Sequence, residues 1–330
     1  MMNRATTGIM TGSINSNPEL VEPSYLKLYK SGELELRMEK AIGLMEKCTL
    51  CPRECGVNRF KGETGYCKTG RRAGVASYNA HFGEELPLVG QYGSGTIFFS
   101  SCNLLCCFCQ NYEISHLNEG VVVESDQMAE MMIELAKRGC HNINFVTPTH
   151  VVPQIIEALI VAIEQGLRVP LVYNSGGYDK KETVELLDGI FDIYMPDFKS
   201  WNDEWAGRVM GAKNYRHVAM DAVKEMYRQV GDLVMDDEGI ALRGLLVRHL
   251  VMPNRVAMTE KIMEFIATEV SPNTYVNLMD QYRPCGTAAS DDMINRRLTA
   301  REYRDAVDAA QKAGLHRLDP RDRPRIIFNF

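Results

Sequence analysis

The sequence lacks any long hydrophobic run, and this excludes several classes of protein. No apolar stretch among the 330 residues approaches the roughly 18 residues that a membrane-spanning helix needs. The first twenty residues, MMNRATTGIMTGSINSNPEL, are polar and contain no apolar segment typical of a secretory signal. We therefore expect a disordered leader over residues 1–20, no membrane partner and a cytoplasmic location.

The chain also lacks an excess of positive charge. Its 37 Lys and Arg residues are outnumbered by 43 Asp and Glu, for a formal net charge of −6. General affinity for nucleic acid requires a basic surface, so we predict no nucleic-acid partner. Internal repeats and low-complexity tracts are absent as well.

Cysteine, in contrast, is abundant, and seven of the ten cysteines fall into two short groups with metal-ligand spacing. In a cytosolic chain such grouping favours metal binding over disulfides. One group, Cys102, Cys106 and Cys109, has the spacing C-x₃-C-x₂-C. Three thiolates can hold three irons of a cubane cluster and leave the fourth iron open, and an open position is typical of catalytic metal sites. The alternatives are a zinc knuckle or buried thiols; Cys107 is interpreted as a non-ligand.

The other group comprises Cys48, Cys51, Cys55 and Cys67, with the spacing C-x₂-C-x₃-C-x₁₁-C. Four thiolates in a glycine-rich loop can close a tetrahedral zinc site or hold an auxiliary iron–sulfur cluster. This segment has too few apolar residues to fold without a bound metal. We favour the cluster, and both a structural role and electron relay stay open.

Alternating strand-like and helix-like patterns predict the fold class. Short apolar runs separated by helices of ten to sixteen residues predict an α/β fold with a parallel sheet; these runs are 96–100, 142–146, 169–174, 191–198, 244–251 and 274–280. A helix is predicted over 22–45, and loop or short strand over 70–95. Ligands bind at the carboxyl ends of parallel strands, where polar side chains follow several of these runs.

The cysteine motif resembles that of the radical S-adenosylmethionine (SAM) superfamily, C-x₃-C-x-aromatic-C, with Phe108 as the aromatic residue. In that family SAM chelates the open iron and the aromatic residue lies beside the adenine. Further stretches resemble a group related to the pyruvate formate-lyase activating enzymes, which are glycyl-radical activases. These stretches are CPRECGVNR, GSGTIFFSSCNLLCCFCQN, NFVTPTH, YMPDFK, RHLVMPN and MDQYRP.

The resemblance implies a fold and a domain organisation. We expect a partial (β/α)₆ TIM-like barrel of the radical SAM type with an N-terminal Cys-rich extension. Residues 21–92 would form the N-terminal helix and metal-binding segment. Residues 93–330 would form the radical SAM core with a C-terminal helix and tail.

The resemblance also implies residue roles. The residues expected to surround the SAM carboxylate and a monovalent cation are Asn174, Ser175, the Met195 carbonyl, Asp197 and Lys199. Only one of Arg248 and His249 can face the site, because strand neighbours point to opposite faces, and we favour Arg248. Candidate substrate contacts are Asn277, Asp280, Gln281 and Arg283.

The chain departs from the family pattern in three places. Asn174 stands where the activases carry an aspartate, which weakens a cation site. Thr147-Pro148-Thr149-His150 replaces the Gly-Gly-Glu that takes SAM's amino group, and backbone carbonyls with the Thr147 hydroxyl are its candidate substitutes. No ferredoxin module follows the cysteine motif.

The functional expectation is an enzyme that binds a [4Fe–4S] cluster and SAM and abstracts hydrogen through a 5′-deoxyadenosyl radical. By resemblance, its partners are a flavodoxin or ferredoxin-type electron donor and a glycyl-radical enzyme as substrate. The alternatives are radical modification of a small molecule or peptide, and a non-enzymatic iron–sulfur or zinc protein.

Overall fold

Nine β-strands form one mostly parallel sheet in residues 22–320, the part of the chain that the computed structural model describes. The predicted leader over 1–20 and the tail over 321–330 lie outside these described residues. The strands are β1 (Ala73–His81), β2 (Ser94–Phe99), β3 (Val121–Val123), β4 (Ile143–Val146), β5 (Leu171–Ser175), β6 (Ile193–Pro196), β7 (Val234–Met235), β8 (Ala241–Leu250) and β9 (Tyr275–Met279).

Six of these strands run parallel, in the order β2-β4-β5-β6-β8-β9. They correspond to the six predicted apolar runs, so the α/β class with a mostly parallel sheet is confirmed. β1 pairs antiparallel with both β2 and β3, and β7 pairs antiparallel with β8. β5 and β6 are buried along their whole length, as expected for parallel strands covered on both faces.

At least one helix separates each pair of consecutive parallel strands, as parallel pairing requires. The helices are α1 (Tyr25–Ser31), α2 (Glu33–Gly43), α3 (Leu86–Val89), α4 (Tyr112–His116), α5 (Ser125–Lys137), α6 (Val152–Glu164), α7 (Lys181–Leu186), α8 (Asp203–Met210), α9 (Tyr215–Val230), α10 (Thr259–Phe265) and α11 (Ala300–Ala313). No helix within 22–320 combines the length and the apolarity needed to cross a membrane.

Two predictions about the N-terminal third need correction. The single helix over 22–45 is two helices, because Gly32 adopts a left-handed φ of 76° that ends α1 and precedes α2. The segment 70–95 contains a nine-residue strand, β1. Hydrogen bonding to β2 and β3 stabilises β1 despite its weak apolar pattern, and it places part of the expected extension within the central sheet.

The two faces of the sheet carry separate cores. On β5, Leu171 and Tyr173 pack with the helices, whereas Val172 belongs to a cluster on the opposite face. That second cluster includes Leu88 of α3, together with Ile193, Met195, Leu246 and Tyr275. The short helix α3 therefore covers the sheet face opposite the main helices, and this positions the residues that precede it.

Candidate active site

A cavity of about 420 Å³ lies at the carboxyl ends of the parallel strands, within the range of roughly 300–1,000 Å³ typical of small-molecule sites. Residues at or just after the carboxyl ends of β2, β4, β5, β6, β8 and β9 all line it. Most of the sequence-predicted site residues meet here: Cys102, Cys106, Phe108, Cys109, Thr147, Asn174, Ser175, Asp197, Lys199, Arg248, Asn277 and Gln281. The cavity is the candidate active site.

The three cysteines of the C-x₃-C-x₂-C motif face this cavity from one loop. The backbone N–H of Leu104 donates to Cys102 Sγ at 3.3 Å, and the Ser115 hydroxyl donates to Cys109 Sγ at 3.2 Å. Such donors stabilise a thiolate. Cys107 is absent from the cavity lining, and its backbone N–H donates to the Val209 carbonyl at 2.8 Å.

Burial makes two of these thiols costly to ionise without a cation. It raises the pKa of Cys102 and that of Cys106, and the positive charge of Lys199 opposes both shifts. A bound metal reverses this balance, because metal ligation deprotonates a thiol outright. Three thiols on one cavity wall, Cys106 buried and Cys102 and Cys109 partly buried, therefore fit the donor set of a cluster with one iron left open.

A buried ionic network stands in the same cavity. Asp197 Oδ1 accepts from Arg248 Nε at 2.8 Å, and Asp197 Oδ2 accepts from Lys199 Nζ. Burial alone would raise the pKa of Asp197, but Arg248 and Lys199 hold it below its usual value. Burial would likewise lower the pKa of Lys199, and the Asp197 carboxylate instead raises it. All three side chains are thus charged at neutral pH.

Arg248 also binds the side chain at the end of β5. Its terminal Nη2 donates to Asn174 Oδ1 at 2.6 Å. The guanidinium therefore bridges Asn174 and Asp197, two of the positions that the resemblance assigns to a cation site. Its strand neighbour His249 points to the opposite face, where its ring nitrogens lie 2.6 Å from the Phe198 carbonyl and 2.8 Å from Thr259 Oγ1.

A second buried carboxylate positions the end of β5. Asp179 accepts hydrogen bonds from the hydroxyls of Ser175 and Thr149, each at 2.6 Å, and from Tyr173 at 3.0 Å. Burial raises the pKa of Asp179, and these hydrogen bonds oppose the shift. Thr149 is committed to this network, whereas Thr147, with a left-handed φ of 63°, lines the cavity.

An aromatic cluster supports Phe108, the aromatic residue of the cysteine motif. Its ring stacks on Trp205 of α8 with centroids 5.6 Å apart and packs edge-on to Tyr282 at 6.4 Å. Neither partner could be identified from the sequence, because both lie far from Phe108 along the chain. The packing holds the Phe108 ring at the cavity wall.

Several polar residues of the cavity were not predicted from the sequence, among them three from the segment before β2. His81 at the end of β1 and the pair Glu84–Glu85 before α3 belong to the segment expected to form an extension, yet all three line the cavity. Asn277 Nδ2 donates to Glu85 Oε1 at 2.6 Å. Among the described residues, Asp280 and Arg283 do not line it.

The other cysteine group lies outside the cavity. Cys48, Cys51 and Cys67 are buried and Cys55 is exposed. Burial raises the pKa of Cys51 to about 12, with smaller contributions from the three other cysteines. Arg59, only 2% exposed, contacts Cys67 Sγ at 3.6 Å. Over residues 22–320 no three His, Cys, Asp or Glu side chains are placed to hold a single metal ion.

Arg53 connects the two cysteine groups. Its guanidinium lies 3.9 Å from the centre of the Tyr66 ring and 5.1 Å from that of Tyr178. Its Nε donates to the carbonyl of Asn103, between Cys102 and Cys106, at 2.8 Å. A side chain from within the first group thus supports the backbone of the second.

Comparison with known proteins agrees with this geometry. The model of the radical SAM superfamily matches residues 96–236, which include the cysteine loop, Asn174, Asp197 and Lys199. An uncharacterized protein of Methanocaldococcus jannaschii is 35% identical over 300 residues, covering 88% of this chain and 82% of the relative. The chain belongs to the radical SAM superfamily. Membership supports a SAM-dependent radical enzyme and implies a [4Fe–4S] cluster and SAM as its cofactors.

Two buried histidines predict a pH dependence of stability. Burial lowers the pKa of His150 and of His249 from 6.5 to about 4. Between pH 6.5 and pH 4 the unfolded chain binds protons that the folded chain excludes, so the free energy of unfolding falls as the pH falls through this window. Each histidine contributes a slope of about 1.4 kcal/mol per pH unit.

Anaerobic urea denaturation at several pH values measures this slope. The variant His249→Gln should reduce the slope by the contribution of one proton, about 1.4 kcal/mol per pH unit. The exposed control His217→Gln should leave the slope unchanged. An unaltered slope in His249→Gln would contradict a neutral buried imidazole.

Proposed function

We propose that this cavity holds a [4Fe–4S] cluster on Cys102, Cys106 and Cys109 and binds SAM at the open iron. The observation that carries the proposal is that three thiols of one loop share a single cavity with Lys199, Asp197 and Arg248. When bound, the reduced cluster supplies the electron that cleaves SAM to methionine and a 5′-deoxyadenosyl radical, which abstracts hydrogen from a substrate.

The protein's own residues bind and orient SAM in this proposal. Lys199 and Arg248 offer positive charge to its carboxylate, and Asp197 fixes both cations by accepting a hydrogen bond from each. Ser175, anchored by Asp179, offers a polar contact at the end of β5. Phe108 presents an apolar wall for the adenine, and its packing against Trp205 helps to exclude water.

Arg248 takes the place of the monovalent cation that the resemblance implies. The guanidinium already bridges Asn174 and Asp197, so a further cation there would meet a fixed positive charge. An asparagine suits this arrangement, because its neutral carbonyl oxygen accepts from the guanidinium without adding charge. The replacement of the activases' aspartate by Asn174 thus goes together with Arg248, whose guanidinium contacts Asn174 in the cavity.

The cysteine assignment predicts a sharp contrast between adjacent thiols. In anaerobically reconstituted protein with SAM and dithionite, Cys102→Ala should reduce 5′-deoxyadenosine formation at least 100-fold, since removal of one thiolate disrupts the cluster. The matched control is Cys107→Ala on the same loop, which should keep at least half of the activity. Equal loss in both variants, or no 5′-deoxyadenosine from the unmodified chain, would refute the assignment.

We also propose that Cys48, Cys51, Cys55 and Cys67 hold an auxiliary iron–sulfur cluster. The support is the four-cysteine donor set and the link through Arg53 to the loop of the first cluster. Arg59 adds positive charge beside Cys67, which favours an anionic thiolate cluster. A structural role and electron relay are both compatible with this placement.

Metal analysis tests the auxiliary cluster. Reconstituted protein should contain about eight irons per chain with two [4Fe–4S] clusters, and Cys51→Ala should lower this to about four while leaving the SAM-sensitive signal in electron paramagnetic resonance. Cys140→Ala, outside both groups, serves as control. About one zinc and four irons per chain would instead identify a zinc site.

We propose, more narrowly, that the substrate is the backbone glycine of a partner glycyl-radical enzyme, with a flavodoxin or ferredoxin-type protein as electron donor in the cytoplasm. The support is the resemblance to the activases in the stretches around Cys51, Cys102, Asp197 and Arg248. The cavity would receive a peptide segment of the partner, since a glycine Cα–H can be reached only if its backbone enters the site.

An activation assay with purified proteins tests this narrower proposal. A glycyl-radical enzyme from the same genome, incubated anaerobically with the loaded protein, SAM and a reduced flavodoxin, should develop the doublet signal of a glycyl radical. The signal should require Cys102 and should disappear when the partner's radical glycine is replaced by alanine. If 5′-deoxyadenosine forms but no partner gains a radical, the substrate is a small molecule or another peptide.

A further inference from the structure

Glu84 and Glu85 are buried acidic residues of the cavity to which neither the cluster nor SAM binding assigns a role. They precede α3 and are 8% and 2% exposed. Glu85 Oε1 accepts from Asn277 Nδ2 at 2.6 Å. Its second oxygen, Oε2, is buried and accepts no hydrogen bond from any residue between 22 and 320.

The charges that line the cavity do not balance. The lining contains three carboxylates, Glu84, Glu85 and Asp197, but two permanent cations, Lys199 and Arg248. Lys199 binds Asp197, and Arg248 directs its Nε to the same carboxylate and its Nη2 to Asn174. The remaining nitrogen of the Arg248 guanidinium, Nη1, lies 3.8 Å from Glu84 Oε2.

The imidazole beside Glu84 does not restore the balance. His81 Nδ1 lies 3.5 Å from Glu84 Oε1, and burial lowers the pKa of His81, so the ring is neutral at physiological pH. Among the described residues no cation lies within ion-pair distance of Glu85; burial raises the pKa of its carboxyl group, and the positive charge of Arg248 opposes that shift. A buried carboxylate that lacks a partner is unfavourable, and a cationic ligand would relieve this.

We propose that Glu84 and Glu85 recognise a cationic group, an ammonium or a guanidinium, of the substrate from which hydrogen is abstracted. This inference rests on the proposed radical function and adds the chemical class of its substrate. Glu85 Oε2 offers a buried acceptor inside the cavity, and Glu84 adds a second negative charge beside it. Asn277 orients the Glu85 carboxylate through its own hydrogen bond.

The acidic pair comes from a different part of the chain than the proposed SAM contacts. Glu84 and Glu85 lie between β1 and α3, whereas the SAM contacts lie at or just after the carboxyl ends of β2, β5, β6 and β8. A substrate cation held by the pair would occupy the same cavity as the cysteines. Cationic side chains of a peptide and free amines share this chemistry, and the experiment distinguishes them.

Binding to small probes tests the charge preference. We would titrate the cluster-loaded full chain, saturated with SAM under anaerobic conditions, with n-butylammonium, n-butylguanidinium, butyramide and butyrate in a calorimeter. At least one butyl cation, or the arginine peptide described below, should bind at least tenfold more tightly than its neutral counterpart, which corresponds to about 1.4 kcal/mol. Glu85→Gln and Glu84→Gln should each remove most of this preference.

Glu130→Gln on the exposed face of α5 is the matched control and should keep the full preference. Two peptides identify the source of the cation: acetyl-Gly-Arg-Gly-amide and its citrulline analogue. A tenfold preference for the arginine peptide with no preference among the butyl probes indicates a peptide substrate. A preference among the butyl probes alone indicates a free amine or guanidine.

Three results would overturn the inference. The first is equal binding of cationic and neutral ligands by the unmodified chain in both sets, the butyl probes and the peptide pair, and it requires no variant to fold. The second is an unchanged preference in Glu85→Gln, which would indicate a protonated, structural Glu85. The third is weaker binding of SAM itself in Glu85→Gln with unchanged probe binding, which would assign the pair to SAM.

The failure of this inference is distinguishable from that of the proposed function. Formation of 5′-deoxyadenosine without any charge preference would refute the cationic substrate and leave the radical chemistry intact. A charge preference in a protein that never cleaves SAM would refute the radical chemistry alone.

Discussion

The carboxylate of Asp197 is shared between two largely buried cations, Lys199 and Arg248, and the candidate site depends on this arrangement. Without Asp197, two positive charges from neighbouring strands would face each other within the cavity without an anion between them. With it, both cations stay ionised and point towards the space beside the cysteine loop. The bridge from Arg248 to Asn174 extends the network to a third strand. Three strand ends are thereby fixed relative to one another, as a preorganised ligand site requires.

The cavity is built from both sides of the expected domain boundary. The parallel strands supply its floor through their carboxyl ends, which is the general location of ligand sites in such sheets. The segment before β2, expected to be a separate extension, contributes β1 to the sheet and covers the second sheet face with Leu88 of α3. It also brings Glu84 and Glu85 into the cavity, and Arg53 links the first cysteine group to the second. The N-terminal segment is thus part of the site.

Much of the site could be predicted because it depends on local spacing. Cys102, Cys106 and Cys109 share a short loop, and loop length alone keeps them together. Asp197 and Lys199 are two residues apart after a buried strand, so both were expected at the same sheet edge. Arg248 and His249 were assigned to opposite faces of their strand, because side chains alternate along a strand, which is a local rule. In each case the residues are close in sequence, or the two-residue period of the strand fixes the face on which the side chain lies.

The amino-acid sequence by itself determined the α/β class, the six parallel strands and the cysteine motif, because periodicity and spacing are encoded within a few residues. Only the tertiary structure decided which distant side chains share the cavity. Glu85 meets Asn277 across 192 positions, and Arg248 meets Asn174 across 74. Such contacts arise from the order in which strands pair and from the packing of α3 against the sheet. No local pattern carries that information, since the free energy that fixes it comes from burial summed over the whole fold.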